Sequence, residues 1–161
     1  MHDADELAEA EKFLHQRIPL TRAMGVRVVR SGEAGFVIEA PVSANSNHLA
    51  TAFGGSINAV ATLAAYGLLW LELREEKAEV VISESAIRFY RPIRHVIQAI
   101  CARPEATLLQ EFREALRTKS RARLTLHVQV LEEKRVAAEF TGTFVAILPT
   151  SSRREPCTQT P

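Results

Sequence analysis

The sequence predicts an α+β chain in which one antiparallel β-sheet wraps around a single long helix. Three observations lead to this. Residues 57–71, INAVATLAAYGLLWL, are apolar round nearly the whole helical circumference, so this helix has to be enclosed rather than laid on a surface. Strand-like segments flank it, two before and four after. An antiparallel sheet with one polar face needs only one covering element on its other face, which suits one apolar helix.

Taken in order, residues 4–17 place Leu7, Ala10 and Leu14 on one helical face, with Glu6, Glu9 and Lys12 off it, and Pro19 ends that helix. GVRVVRSGEAGFVIEAPV, from Gly25, gives two strands about a turn made by Gly32 and Gly35, and Pro41 closes the second. A polar loop leads into the central helix, expected over about residues 54–74. EVVISESAIRFYRPI alternates as a strand until Pro92, and HVIQAICARP is another, stopped by Pro104. Residues 106–118 return to helical spacing through Leu108, Leu109, Phe112 and Leu116. RARLTLHVQVLEEKRVAAEFTGTFVAI reads as two long strands joined in a hairpin at EEK. From Pro149 onward, PTSSRREPCTQTP has no apolar residues able to form a core and reads as a disordered tail. Residues 1–148 are therefore expected to form one domain, and a sheet this small, with exposed edges, calls for a partner subunit.

At 161 residues and 47% hydrophobic content the chain can bury one sizeable core. Its 20 basic and 19 acidic residues leave a net charge of +1, so no global field recruits nucleic acid or membrane. Cys101 and Cys157 have no metal or redox spacing, and neither His95 nor His127 makes ligand spacing with another His or Cys. Cys101 lies in an apolar run and reads as a small buried hydrophobe. The N-terminus, MHDADELAEAEKFL, lacks the apolar core of a signal peptide. The helix at 57–71 contains Asn58 and Thr62 and is short for a membrane span, so the expectation is a soluble, cytoplasmic protein.

The chemistry concentrates at residues 45–56, NSNHLATAFGGS, immediately before the apolar helix. Backbone N–H groups at a helix start have no intrahelical partner and carry the positive end of the helix dipole. Glycine at this place lets a carbonyl approach closely, and the developing oxyanion of a tetrahedral intermediate would meet preorganised donors. Asparagine and glycine also build turns and helix starts, and that reading stands beside the catalytic one.

Asn47 precedes Gly54 by seven residues, and Gly54 opens a Gly-Gly pair. This spacing resembles the catalytic loop of hotdog-fold thioesterases of the phenylacetyl-CoA thioesterase branch. NSNHLATAFGGSINAVATLAAYGLLWL, AIRFYRPI and ARLTLHVQV are similar to the thioesterase-like hotdog domain found fused to some GNAT acetyltransferases and also free-standing, over about residues 18–147. The resemblance implies a hotdog fold and an acyl thioester substrate, carried by coenzyme A or by an acyl carrier protein, with no cofactor or metal. It assigns oxyanion binding to the Gly54 amide, and water or carbonyl positioning to Asn47. One departure stands out: the position eight residues after the oxyanion glycine, usually Asp or Glu in this branch, is Thr62. A hydroxyl can orient water but cannot act as a carboxylate base at neutral pH.

Further candidates are His48, as a general base with a near-neutral pKa, and Ser83, because related thioesterases place a polar residue from this strand near the water. Each has an ordinary alternative, a solvent-exposed loop histidine and a sheet hydroxyl bonded to backbone. Gly55 permits close approach and Ser56 would line the pocket. Arg88, Arg91 and Arg121 would meet phosphates of the carrier, with Lys119, Arg123 and Arg94 nearby in sequence, although a solvated, strand-entry charge cluster is the more ordinary explanation of each. Tyr66, Trp70 and Phe89 are read as core, and Glu84 as a solvent-facing strand residue opposite Ser83 and Ser85. The resulting expectation is a homodimeric or tetrameric thioester hydrolase. A non-catalytic acyl-carrier binding module is the alternative that Thr62 keeps open. A hotdog dehydratase is a third reading, and the lack of a helix carboxylate weighs against it.

Overall fold

The computed structural model describes residues 4–149. Of the tail expected over 149–161, residues 150–161, with Cys157, lie outside the described residues. Four helices and six strands follow one another as α1 (Ala4–Arg17), α2 (Leu20–Ala23), β1 (Arg27–Arg30), β2 (Phe36–Pro41), α3 (Gly54–Glu72), β3 (Glu79–Phe89), β4 (Val96–Cys101), α4 (Ala106–Lys119), β5 (Arg121–Glu132) and β6 (Arg135–Ile147). A 3₁₀ turn, Val42–Ala44, follows β2. α2 is not expected from the sequence: Pro19 ends α1 and caps a second, one-turn helix, its fixed φ of −54° suiting a helix start.

The strands form one sheet in the order β1-β2-β4-β5-β6-β3, every pair antiparallel. β5 alternates exposed and buried from Arg121 to Val130, which sends Ala122, Leu124, Leu126, Val128 and Val130 inward. The β5–β6 hairpin turns at Glu133 and Lys134, both with positive φ (49° and 69°). The curled inner face closes on α3, where Ile57, Val60, Ala61, Ala64, Ala65, Leu68 and Leu69 are buried. α3 has the length and hydropathy of a membrane span, but it is the core helix of this sheet.

Two contacts fix α3 against its surroundings. At Gly67, an added Cβ would lie 2.4 Å from Cε1 of Phe36, whose side chain is wholly buried, so the missing side chain is what lets β2 reach the helix. At the C-terminal end, the buried Glu72 carboxylate pairs with Arg103 and, at 2.8 Å, with Arg113, which also donates to the Glu72 carbonyl at 2.7 Å. Arg113 comes from α4, so this contact ties the end of the core helix to the helix linking β4 and β5. α4 packs through Leu109, Phe112 and Leu116, whereas Leu108, expected on the same face, is 44% exposed.

β3 stands apart from the other strands. It forms one edge of the sheet, and all of its residues except Val80 and Ile87 are exposed. The expected core placement of Phe89 is corrected: its ring is 49% exposed, because α3 leaves this edge of the sheet largely uncovered. Tyr66 and Trp70 are half-buried, and the ring that stacks with both is Phe13 of α1, with centroids 6.2 Å and 4.2 Å away.

Candidate functional site

The start of α3 is built by the loop before it. Phe53 is the N-cap, in an extended conformation, and no side chain caps the helix. Its own N–H donates to the carbonyl of Asn45 at 2.8 Å, and its carbonyl accepts from Ile57 N at 3.0 Å. The amides of Gly54, Gly55 and Ser56 therefore stand at the positive end of a 19-residue helix, ahead of its first intrahelical bond. Upstream, Ala52 N donates to Ile93 O at 2.8 Å and Ser46 bridges to Ala52, so the loop is tied to the chain segment after β3.

The two glycines are bordered by aromatic rings. A Cβ on Gly54 would lie 3.5 Å from Cζ of Phe89, and one on Gly55 only 2.3 Å from Cε1 of Phe53. The Phe53 ring thus occupies the space that Gly55 leaves free, so close approach by a substrate is not the only reason for glycine there. Both rings are about half exposed, Phe53 at 55% and Phe89 at 49%. They form an apolar rim on a polar helix start.

Asn47 is engaged within the loop. Its Oδ1 accepts from Leu49 N (2.9 Å), Thr51 N (3.2 Å) and the Thr51 hydroxyl (3.2 Å), while Nδ2 donates to Thr51 Oγ1 at 3.0 Å and, more distantly, to Ala52 O at 3.4 Å. The turn-building reading of this asparagine is realised, and its long Nδ2 contact is the weakest of the set. Thr62, two turns into α3, donates its hydroxyl to Asn58 O at 2.9 Å, the usual back-bond of a helical threonine. Asn58, Thr62, Tyr66 and Trp70 recur every fourth residue and form a half-exposed stripe along α3. His48 lies exposed in the loop, beside Leu49, itself 69% exposed.

Ser83 sits at a bulge where the β3–β6 register shifts between Ile82 and Glu84, and its hydroxyl donates to Thr143 O at 3.1 Å. The bulge interrupts the expected alternation of Ser83 and Ser85 against Glu84, and all three are exposed on the edge strand. Arg88 and Arg91 are exposed at the Phe89 end of β3, near the start of α3. Between them, Tyr90 donates to the Glu139 carboxylate at 2.6 Å, and this bond holds the phenol above its ordinary pKa. Arg121 is elsewhere. Ile147 pairs with both Arg121 and Glu79, at the opposite end of β3 from Phe89. At about 3.3 Å per strand residue, roughly 30 Å separates Arg121 from the Gly54 end within one chain.

The buried carboxylate lies away from the helix start, whereas Glu139, through Tyr90, and Glu132, through Arg94, are held on the segment whose Ile93 carbonyl ties down Ala52. Glu72 closes the far end of α3 in its arginine pairs, and Glu132 accepts from Arg94 N at 3.0 Å beside His95. Among the described residues no cluster of His, Cys, Asp or Glu has the makings of a metal site. Sequence reading missed Asn45, which is 4% exposed and donates from Nδ2 to both Met24 O and Pro41 O at 2.8 Å. Its only signal was its place in the polar loop.

A six-stranded antiparallel sheet curled about one long apolar helix defines a hotdog protein. The chain belongs to the family described as "Putative thioesterase (yiiD_Cterm)", whose model matches residues 7–148. Solved structures share the fold. A protein of unknown function from Chlorobaculum tepidum TLS superposes with a TM-score of 0.84 at 24% identity, over 88% of this chain and 94% of that one. A "putative thioesterase from Shewanella oneidensis" superposes with a TM-score of 0.77 at 23% identity, over 90% and 99% of the two chains. A Pseudomonas aeruginosa protein described as a "Probable Thioesterase" gives a TM-score of 0.77 at 18% identity, over 87% and 94%.

Proposed function

We propose that the protein hydrolyses acyl thioesters of coenzyme A or of an acyl carrier protein. The observation that carries this reading is the uncapped start of α3, where no side chain hydrogen-bonds to the first amides and the Gly54 position is bordered by the Phe89 ring. A thioester carbonyl placed there would develop its negative charge against a fixed donor and the helix dipole. Water attacks the carbonyl carbon, the tetrahedral intermediate collapses, and the thiol leaves. Asn47 contributes by holding the loop, and its loosely held Nδ2 proton can turn toward the carbonyl or the water. Thr62 lies about 12 Å along the helix from Gly54, beyond reach of a water at that amide in its own chain, so the water its hydroxyl oxygen would orient stands at the Gly54 site of a paired copy. Gly55 and Ser56 line the approach, Ser83 and His48 are lesser contributors, and Arg88 and Arg91 meet carrier phosphates.

The same reading includes assembly as a homodimer, or as a tetramer of two such dimers, in the cytoplasm, with residues 1–148 as one domain. An 11-residue edge strand with Val81, Ile82 and Phe89 exposed at 53%, 40% and 49% is unusual in an isolated protein and is suited to pairing with its own copy. Antiparallel pairing of two β3 strands would set the Glu79 end of one subunit beside the Phe89 end of the other. The partner's Arg121 would then approach Gly54, which gives that arginine a role its own chain does not.

A second reading has one observation in its favour. α3 carries no carboxylate before Glu72, and Glu72 is committed to Arg103 and Arg113. A protein that binds acyl carriers without hydrolysing them would need no base. Thiol release from a panel of acyl-CoA and acyl-carrier thioesters separates the two. On the hydrolase reading, Asn47→Ala lowers kcat/KM by roughly two to three orders of magnitude, the loss of about 2–4 kcal/mol of transition-state stabilisation. Gly54→Val does at least as much damage by crowding the carbonyl away. Turnover unchanged in both variants, each with native circular dichroism, would overturn the site.

A further inference from the structure

We infer that Asn45 is the positioning residue of this site, setting where the first amides of α3 stand; its catalytic consequence rests on the hydrolase reading. Four hydrogen bonds tie three main-chain segments to this one side chain and its peptide. Nδ2 donates at 2.8 Å to Met24 O, at the end of α2, and at 2.8 Å to Pro41 O, the last residue of β2. The Asn45 amide donates to Val42 O at 2.8 Å, closing the 3₁₀ turn. The Asn45 carbonyl accepts from Phe53 N at 2.8 Å, and Phe53 is the residue from which α3 starts. Every one of these partners is backbone, so the geometry does not depend on the rotamer of any other side chain. Asn45 is also one of only three polar or charged residues buried among those described, with 4% exposure, beside Thr21 and Glu72.

The chemistry of the side chain fits this use. A primary amide has two N–H donors on one nitrogen, and here both are spent on carbonyls that strand and helix ladders leave over. Aspartate, of the same shape, would face those two carbonyls with lone pairs, and serine would offer one donor on a shorter arm. The Asn45 Oδ1 atom is buried with no partner among the described residues. An unsatisfied buried acceptor is tolerated in a fold only where the rest of the group is worth more than its loss. Asn47, seven residues before Gly54, organises the exposed half of the loop through Leu49 and Thr51, and reaches the buried half only by the long 3.4 Å contact to Ala52 O. Asn45 anchors the buried half, and that half carries Phe53 and the amides behind it.

Two kinds of measurement test this. Amide hydrogen exchange on the wild-type protein, followed residue by residue, should put Phe53 N–H in the slow class with the core of α3, because its acceptor belongs to a buried, four-way anchored residue. Fast exchange there overturns the anchoring directly, with no variant and no substrate involved. In Asn45→Ala and Asn45→Ser, exchange at Ala52, Phe53 and Ile57 should accelerate at least tenfold while β5 and β6 hold their rates, and unchanged exchange overturns the proposal. With a hydrolysed thioester in hand, both variants should lose kcat about ten- to a hundredfold with KM within about threefold, since substrate still binds but its carbonyl is misplaced. Asn45→Asp should be slowest at neutral pH and recover part of its kcat on acidification, when a protonated carboxyl again donates to one carbonyl. Full kcat in folded Asn45→Ala would overturn the positioning role. A wild-type protein that hydrolyses no thioester would instead overturn the proposed function, and the exchange data would still decide whether Asn45 sets the helix start.

Discussion

Thr62 occupies the place where the resemblance to hotdog thioesterases leads one to expect an acid, and its hydroxyl proton is committed to Asn58 O, one turn nearer the helix start. Replacing it with aspartate supplies a carboxylate on a half-exposed stripe, where desolvation is modest compared with a fully buried site. On the hydrolase reading Thr62→Asp should keep or raise kcat/KM for acyl-CoA hydrolysis; on the binding reading it should introduce turnover where the wild type has none. A folded Thr62→Asp protein that loses the wild-type rate would show that the neutral hydroxyl is itself required. Cys101 offers a second residue-level test. Burial pushes its thiol up to about 12 from 9.0, so the native thiolate is scarce at pH 8. In a Cys157→Ser background, a disulfide reagent at pH 8 should label Cys101 only as fast as the protein unfolds. The sign of the linkage follows: below pH 9.0 the thiol is protonated in both states, and between 9.0 and about 12 the unfolded chain gives up its proton first. This group should therefore lower stability with rising pH across that window.

The glycines of α3 separate packing from catalysis at the level of the element. Each Gly→Ala change inside a helix gains about 1 kcal/mol of propensity. At Gly67 the new methyl meets Phe36, fully buried and unable to move aside, and overpacking costs about 1–3 kcal/mol. At Gly55 the methyl meets the Phe53 ring, which is 55% exposed and can swing into solvent. Gly67→Ala should thus lower the denaturation midpoint, and Gly55→Ala should leave it level or raise it. Chemical denaturation of both proteins checks this, and equal losses would mean that the Phe53 ring is held more firmly than its exposure implies. Sequence alone could not rank the two, because each is simply a glycine in an apolar helix. The elements themselves were legible: the bounds of α1 and α4 and the start of α3 lie close to those expected, since long periodic patterns leave few alternatives. α2 was not, because four residues are too few to show a period.

For the whole molecule, the uneven cover of the sheet is the main consequence. α3 and α4 close over the strands from β2 to β6, and β3 is left with an open edge and open faces. Val81→Lys together with Ile82→Lys should convert a dimer to monomers at micromolar concentration, since a charged edge resists strand addition. Light scattering gives the mass; a wild-type monomer, or a variant that still dimerises, would count against pairing through β3.

The chain's own pattern determined the class of fold, the enclosed helix, the β5–β6 hairpin and the polar loop ending in Gly54, because each depends on local periodicity or on residue types with narrow backbone preferences. Tertiary structure alone decided the rest. Strand order placed Arg88 beside the helix start and Arg121 at the far end of the sheet, although the two look equivalent as basic residues in strands. Contacts between segments distant in sequence gave Glu72 its arginines, turned Phe89 outward and drew Asn45 inward to hold Met24, Pro41 and Phe53 together. A sequence records which groups each residue can offer. Which partner accepts them is fixed only when the sheet closes on its helix and brings those segments within hydrogen-bonding range.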